Sequence, residues 1–245
     1  MSQIVDTESA KEFLKEVSAS VSPDELKAIC ENLEIKSRFF QQRLGAAAIE
    51  KLSGQEIHQI LRAVFATRRK AASILKQFPA QSLQTWMADL LHGEQTPEQR
   101  FQQFFDRLEG LDDNSRFDLA GELLHYTFPE RYWLWNRWMW DPRVKTGALP
   151  LVTTEDVDLS APTFGGMYLN VGKALAFVHE VGDAAGFQRI DRSLFGTTVF
   201  LCSVYAVYSY TVLRMRMTQE FNKVVPALPE LTRRLLGVHR MEEYV

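Results

Sequence analysis

The chain has 245 residues, 46% of them hydrophobic, with 28 basic and 31 acidic side chains for a formal net charge of −3. This composition supplies a sizeable core and excludes a disordered chain, and the balanced charge excludes any global attraction to nucleic acid or to an anionic membrane. Two cysteines, Cys30 and Cys202, are too few for a disulfide scaffold and are expected to be buried thiols.

The first sixteen residues carry acids and no apolar run, so no cleaved secretory signal is expected, and a soluble, cytoplasmic protein is the reading. Ser22, Pro23, Asp24 and Glu25 form a capping-box arrangement with proline at the first helical position, opening a helix through about Glu34. The same grammar recurs at Thr96, Pro97, Glu98 and Gln99. Between them, Ile57, Ile60, Leu61, Val64 and Phe65 follow helical spacing, as do Leu83, Trp86, Met87, Leu90 and Leu91, so one-sided helices packed on a core are expected. A further helix is predicted from about Ser115 to Tyr126, interrupted at Phe128-Pro129 because the residue before proline is pushed out of the helical region.

Four of the five tryptophans, Trp133, Trp135, Trp138 and Trp140, then fall within eight residues. With Pro129 opening a helix here, Tyr132 and these four rings point in different directions at 100° per residue, so such a helix must be surrounded. The protein's own helices provide that cover in one reading. In the other, part of the segment is a partner-binding surface of Arg131, Tyr132, Trp133, Trp135, Arg137, Trp138 and Trp140, since tryptophan, tyrosine and arginine dominate interface hot spots.

Prolines and glycines between about 141 and 170 predict a long irregular loop, and helical patterning resumes at about Val171 and breaks near Gly186. Residues 193–213 carry no charge and are long enough to cross a bilayer. Scattered Thr and Ser, mid-segment tyrosines and the lack of a second such stretch favour a buried core helix over membrane anchoring. An amphipathic stretch, 214–225, and a short helix, 229–240, complete the chain.

The expected architecture is all-α: a multi-helix bundle or orthogonal helical array of about ten helices with one irregular loop at about 141–170. The expected organisation is a helical region over 1–140 ending in the aromatic segment, the 141–170 loop or linker, and a C-terminal helical region over 171–245 packing on the first as one globular unit.

Chemistry-bearing motifs are sparse. Glu122 and His125 share one helix face at i, i+3 spacing, which is half of a carboxylate-bridged metal motif; with His179 they form a weak alternative metal site, and no metal or cofactor is otherwise expected. Arg68, Arg69 and Lys70 form a basic cluster able to contact phosphate. No nucleophile elbow or phosphate-binding loop is present. The leading expectation is a non-enzymatic helical interaction protein, an accessory, assembly or regulatory factor, binding a larger protein or a second copy of itself through the aromatic segment. The alternatives are a nucleic-acid-associated helical protein using Arg68, Arg69 and Lys70, and a metal- or cofactor-binding helical enzyme.

Overall fold

A computed structural model of the chain describes residues 4–216 and 226–244. Among these there are twelve α-helices and no strand, only three isolated bridges, as the helical spacing predicts. The helices are α1 (Thr7–Ser20), α2 (Pro23–Leu44), α3 (Ala46–Ile49), α4 (Gly54–Ala63), α5 (Ala71–Gln77), α6 (Ala80–His92), α7 (Pro97–Arg107), α8 (Asp113–Thr127), α9 (Phe164–Glu180), α10 (Gly182–Ala185), α11 (Leu194–Arg216) and α12 (Leu228–Leu235). The amphipathic stretch expected over 214–225 lies, after residue 216, outside the described residues.

Both capping boxes form. The Glu25 N–H donates to Ser22 Oγ at 3.3 Å while the Ser22 N–H donates to the Glu25 carboxylate at 3.1 Å, and Thr96 and Gln99 repeat the exchange. Helix α2 continues ten residues beyond the expected end at Glu34. Its later apolar positions, Phe40 and Leu44, extend the stripe begun by Ile29 and Leu33, and all four are fully buried.

The chain gathers into two compact units, each assembled from separated stretches. Unit 1 comprises 1–33, 138–157 and 174–239; unit 2 comprises 34–137, 158–173 and 240–245. Helices α2 and α9 contribute residues to both.

In unit 1, α11 is the central element. Residues 195–204 are all buried, and α1 and α12 pack against this helix. By length and composition Leu194–Val212 would span a bilayer, but 61% of that stretch is covered by the protein's own residues, the behaviour of a core helix. Within the passage from Trp138 to Val157 the chain folds back on itself, with the Ala148 and Leu149 N–H groups donating to the Trp138 and Met139 carbonyls at 2.9 and 3.0 Å. Gly147, at φ 150°, permits this lap: a Cβ there would lie 2.3 Å from the Met139 oxygen.

In unit 2, α8 is the central element, buried at every position from Ser115 to Thr127 except Arg116 and packed on by α6 and α7. The apolar faces predicted for α4 and α6 are the buried ones, through Ile57, Ile60 and Leu61 and through Leu83, Met87, Leu90 and Leu91.

The aromatic segment departs from the expected helix. Helix α8 does end before Phe128-Pro129, but residues 128–140 then run through turns and irregular backbone instead of a second helix, and the irregular passage reaches from Phe128 to Thr163 where about 141–170 was expected. The physical reason is the supply of side-chain partners for the backbone. His125 Nδ1 lies 2.9 Å from the Tyr132 carbonyl, Tyr168 Oη donates to the Trp133 carbonyl at 3.2 Å, and the Arg137 N–H donates to Asp118 Oδ1 at 2.8 Å. These contacts substitute for the helical ladder.

Candidate functional site

Helix α8 places two carboxyls and an imidazole, Asp118, Glu122 and His125, at i, i+4 and i+7, hence on one stripe, and all three are buried, at 3%, 2% and 0% exposure. Lys36 of α2 meets this stripe. It occupies an apolar position between Leu33 and Phe40, is completely buried, and donates to Glu122 Oε2 at 2.7 Å. Its ammonium group also lies 4.2 Å from the centroid of the Tyr126 ring.

Burial pushes the Lys36 ammonium below the usual lysine range and the Glu122 carboxyl above the usual carboxylate range, while their mutual contact works against both shifts. The Phe65 N–H also donates to Glu122, and Arg68 adds a positive charge that opposes ionisation of Lys36. Asp118 is driven well above its ordinary range, first by burial and further by the charges of Glu122 and Asp112, against the pull of Arg137. His125 is lowered to about 4, mainly by burial, so its imidazole is neutral at pH 7, with Nδ1 donating to the Tyr132 carbonyl.

Arg137 links this interior to solvent. Its backbone N–H and its Nε, 3.6 Å from Oδ2, address Asp118, and its guanidinium lies 5.7 Å from the Phe65 ring centroid. Phe65, at 37%, is the one exposed large hydrophobic side chain of unit 2 among the described residues. Arg131, also exposed, covers the Phe128 and Tyr132 rings at 5.8 and 5.6 Å. Glu122 is engaged by Lys36 and the Phe65 N–H, and the His125 proton by a carbonyl, so the ionisable groups of the interior are committed to one another. The chemistry presented to solvent is that of two arginines over aromatic rings.

The seven residues read as partner-binding divide between the units. Tyr132 and Trp135 are buried in unit 2 at 8% and 0%, and Trp138 and Trp140 are buried in unit 1 at 3% and 4%. Trp135 is sandwiched, its ring 4.6 Å from Phe117 and 5.7 Å from Phe101. These four rings are covered by their own chain and are unavailable to a partner in this fold, because an irregular, non-helical backbone lets successive side chains turn inward to different neighbours. Only Arg131, Trp133 and Arg137 keep solvent-facing surface.

The basic cluster is only partly available. Lys70 is bonded to Asp112 and, at 2.9 Å, to Ser115 Oγ. Burial opposes the ionisation of Asp112, but hydrogen bonds from Lys70 and Ser115 prevail and bring its carboxyl to about 2. Arg68 is half-buried and Arg69 exposed.

The metal alternative gains no support from the described residues. Glu122 is taken by Lys36, His179 belongs to unit 1 with its Nδ1 2.7 Å from Thr197 Oγ1, and among the described residues no three His, Cys, Asp or Glu side chains are grouped to hold an ion.

Sequence reasoning missed Lys36, Asp118 and the exposed face of Phe65. The first two carried a signal: a lysine in register with an apolar stripe, and a carboxylate one turn before Glu122 on an otherwise apolar helix. Compared with protein-family models, with curated proteins and with solved structures, the chain finds no match.

Proposed function

We propose that the protein is a non-enzymatic interaction factor that docks a larger protein partner on the arginine-aromatic surface of unit 2, centred on Phe65 and Arg137 and extended by Arg131 and Trp133. The observation that carries this reading is the Arg137 guanidinium lying 5.7 Å from the ring centroid of an exposed phenylalanine, with its Nε 3.6 Å from the buried Asp118 carboxyl, which also accepts from the Arg137 backbone N–H. A guanidinium fixed in this way loses little side-chain entropy on binding, and arginine and aromatic residues are the types enriched in the centres of interfaces. The buried charge network acts as the scaffold of that presentation.

The test is partner capture from native extract, followed by reconstitution with the purified partner. Phe65→Ser and Arg137→Lys, which keeps the charge beside Asp118 but removes the planar fork, are each expected to weaken binding by about tenfold or more. Undiminished affinity in both variants, with folding intact, defeats the reading. A nucleic-acid role draws less support, since Lys70 is already engaged by Asp112 and Ser115; binding to nucleic acid that falls steeply with added salt would revive it.

A further inference from the structure

Unit 1 contains a groove of about 570 Å³, walled on one side by α1 and on the other by α10 and the 3-10 turn Phe187–Arg189 that follows it. Its character follows from helical spacing. Lys11, Leu14 and Lys15 stand at i, i+3 and i+4 on α1 and so share the face turned to the groove. The half-buried Leu14 and Ile190, with the buried Val21 and Leu26 from the junction of α1 and α2, form an apolar floor.

The rim is cationic. Lys11, Lys15 and Arg189 stand against two carboxylates, Asp183 in the lining and Glu8 beside Lys11, a local excess of one positive charge in a chain whose net charge is −3. Lys11 is paired with Glu8 at 2.9 Å, whereas Lys15 and Arg189 have no carboxylate partner among the described residues. An apolar floor beneath unneutralised cations complements a ligand that is apolar along its length and anionic at one end.

Size selects among such ligands. The volume falls within the roughly 300–1,000 Å³ of small-molecule sites. Thirteen residues line the groove, fewer than the roughly 20–30 per side of a stable protein interface.

We infer that this groove binds a single-chain amphiphilic carboxylate, its acyl chain on Leu14, Val21, Leu26 and Ile190 and its carboxylate paired with Lys15 and Arg189. The inference is independent of the interaction reading, which rests on other residues in the other unit.

The experiment is calorimetric titration of the full chain with dodecanoate, decanoate and octanoate, all below micelle-forming concentrations, beside acetate and the neutral dodecyl maltoside. One saturable site is expected, tightening about twofold or more for each added methylene as the chain covers the apolar floor. Acetate and the maltoside should bind at least about tenfold more weakly than dodecanoate, one for want of a chain and the other for want of a charge. The double variant Lys15→Glu with Arg189→Glu should weaken dodecanoate by about tenfold or more without moving the unfolding midpoint, because both side chains are exposed. Lys76→Glu with Lys173→Glu, the same change in net charge made in unit 2, should leave binding intact.

Four outcomes overturn the assignment. They are the absence of saturable binding, uptake of several molecules with unfolding, indifference to the Lys15 and Arg189 reversal, and an acidic amphipathic peptide occupying the groove where dodecanoate does not.

Discussion

Helix α8 in unit 2 and residues 195–204 of α11 in unit 1 are both enclosed by the protein, and they differ in what they bury. The polar groups buried in α11 are hydroxyls and a thiol: Ser203 Oγ donates to the Val199 carbonyl at 2.8 Å, one turn back on the same helix, while Thr197 Oγ1 lies 2.7 Å from His179 Nδ1 and Cys202 Sγ donates to the Thr232 carbonyl at 3.7 Å. Helix α8 buries two carboxyls and an imidazole, and their partners come from Lys36, Arg137 and Tyr132, 86, 19 and 7 residues away along the chain. A hydroxyl that bonds its own helix makes no demand on tertiary structure, whereas a buried charge is tolerable only if the fold delivers its partner. Helix α8 therefore ties distant parts of unit 2 together through ionisable groups, whereas α11 reaches His179 and Thr232 in unit 1 through a hydroxyl and a thiol.

The contrast is broken most sharply at Lys36. Lys36→Met leaves Glu122 buried without its cation and should cost about 3–5 kcal/mol in urea unfolding, whereas adding Glu122→Leu should return most of that loss, since apolar replacement of a whole buried pair is often neutral or stabilising. If the double variant stays as unstable as the single one, packing by the lysine stem, and not the charge, is what α8 requires.

A second effect follows from His125. Its folded value of about 4 lies below the unfolded value near 6.5. The unfolded chain therefore binds more protons between these limits, so the stabilising contribution is full above about 6.5 and is lost as the pH falls towards 4. The span is worth about 3 kcal/mol. The raised Asp118 and Glu122 act in the opposite sense, their contribution being present below their unfolded values and lost as pH rises through the folded ones. The measurement is accordingly the difference in unfolding free energy between wild type and His125→Gln across pH 4 to 7, expected to grow with pH.

Gly121 sharpens the comparison at the level of backbone. A Cβ there would stand 2.1 Å from the Trp135 carbonyl oxygen, so Gly121→Ala must displace the aromatic segment from α8. A loss of about 1–3 kcal/mol is expected, with altered near-ultraviolet circular dichroism as the tryptophan environment shifts.

In α11 the corresponding disturbance should be small. Ser203→Ala removes a hydroxyl together with the bond it makes, leaving the Val199 carbonyl in its helical ladder, and should change stability by no more than about 1 kcal/mol. Smaller still is Lys11→Ala on α1. Its contact with Glu8 is 2.9 Å long, close to the 2.7 Å of Lys36 with Glu122, yet water reaches both partners, and the expected change is within about 0.5 kcal/mol.

Local chemistry was legible wherever it acts within a turn or two. The capping boxes at Ser22 and Thr96, the apolar faces of α4 and α6, the end of α8 before Phe128-Pro129 and the break at Gly186, where φ is +90°, all depend on neighbours a few residues apart, and the all-α class follows from them. The aromatic segment was not legible, because tryptophan and tyrosine report that a surface will be covered without reporting by what. Trp135 lies against Phe101 and Phe117, and the backbone beside it bonds to His125, Asp118 and Tyr168, so its conformation is set by contacts distant in the chain. The same reason hid the site. One-dimensional spacing placed Glu122 and His125 on one face, but only the folded chain decided that a buried lysine would take the carboxylate that a metal would have needed, and that the arginine among the tryptophans would stand over Phe65. Periodicity determines which side of a helix is turned inward; the identity of what it meets there is a property of the tertiary structure, because burial and charge pairing depend on elements that the sequence keeps far apart.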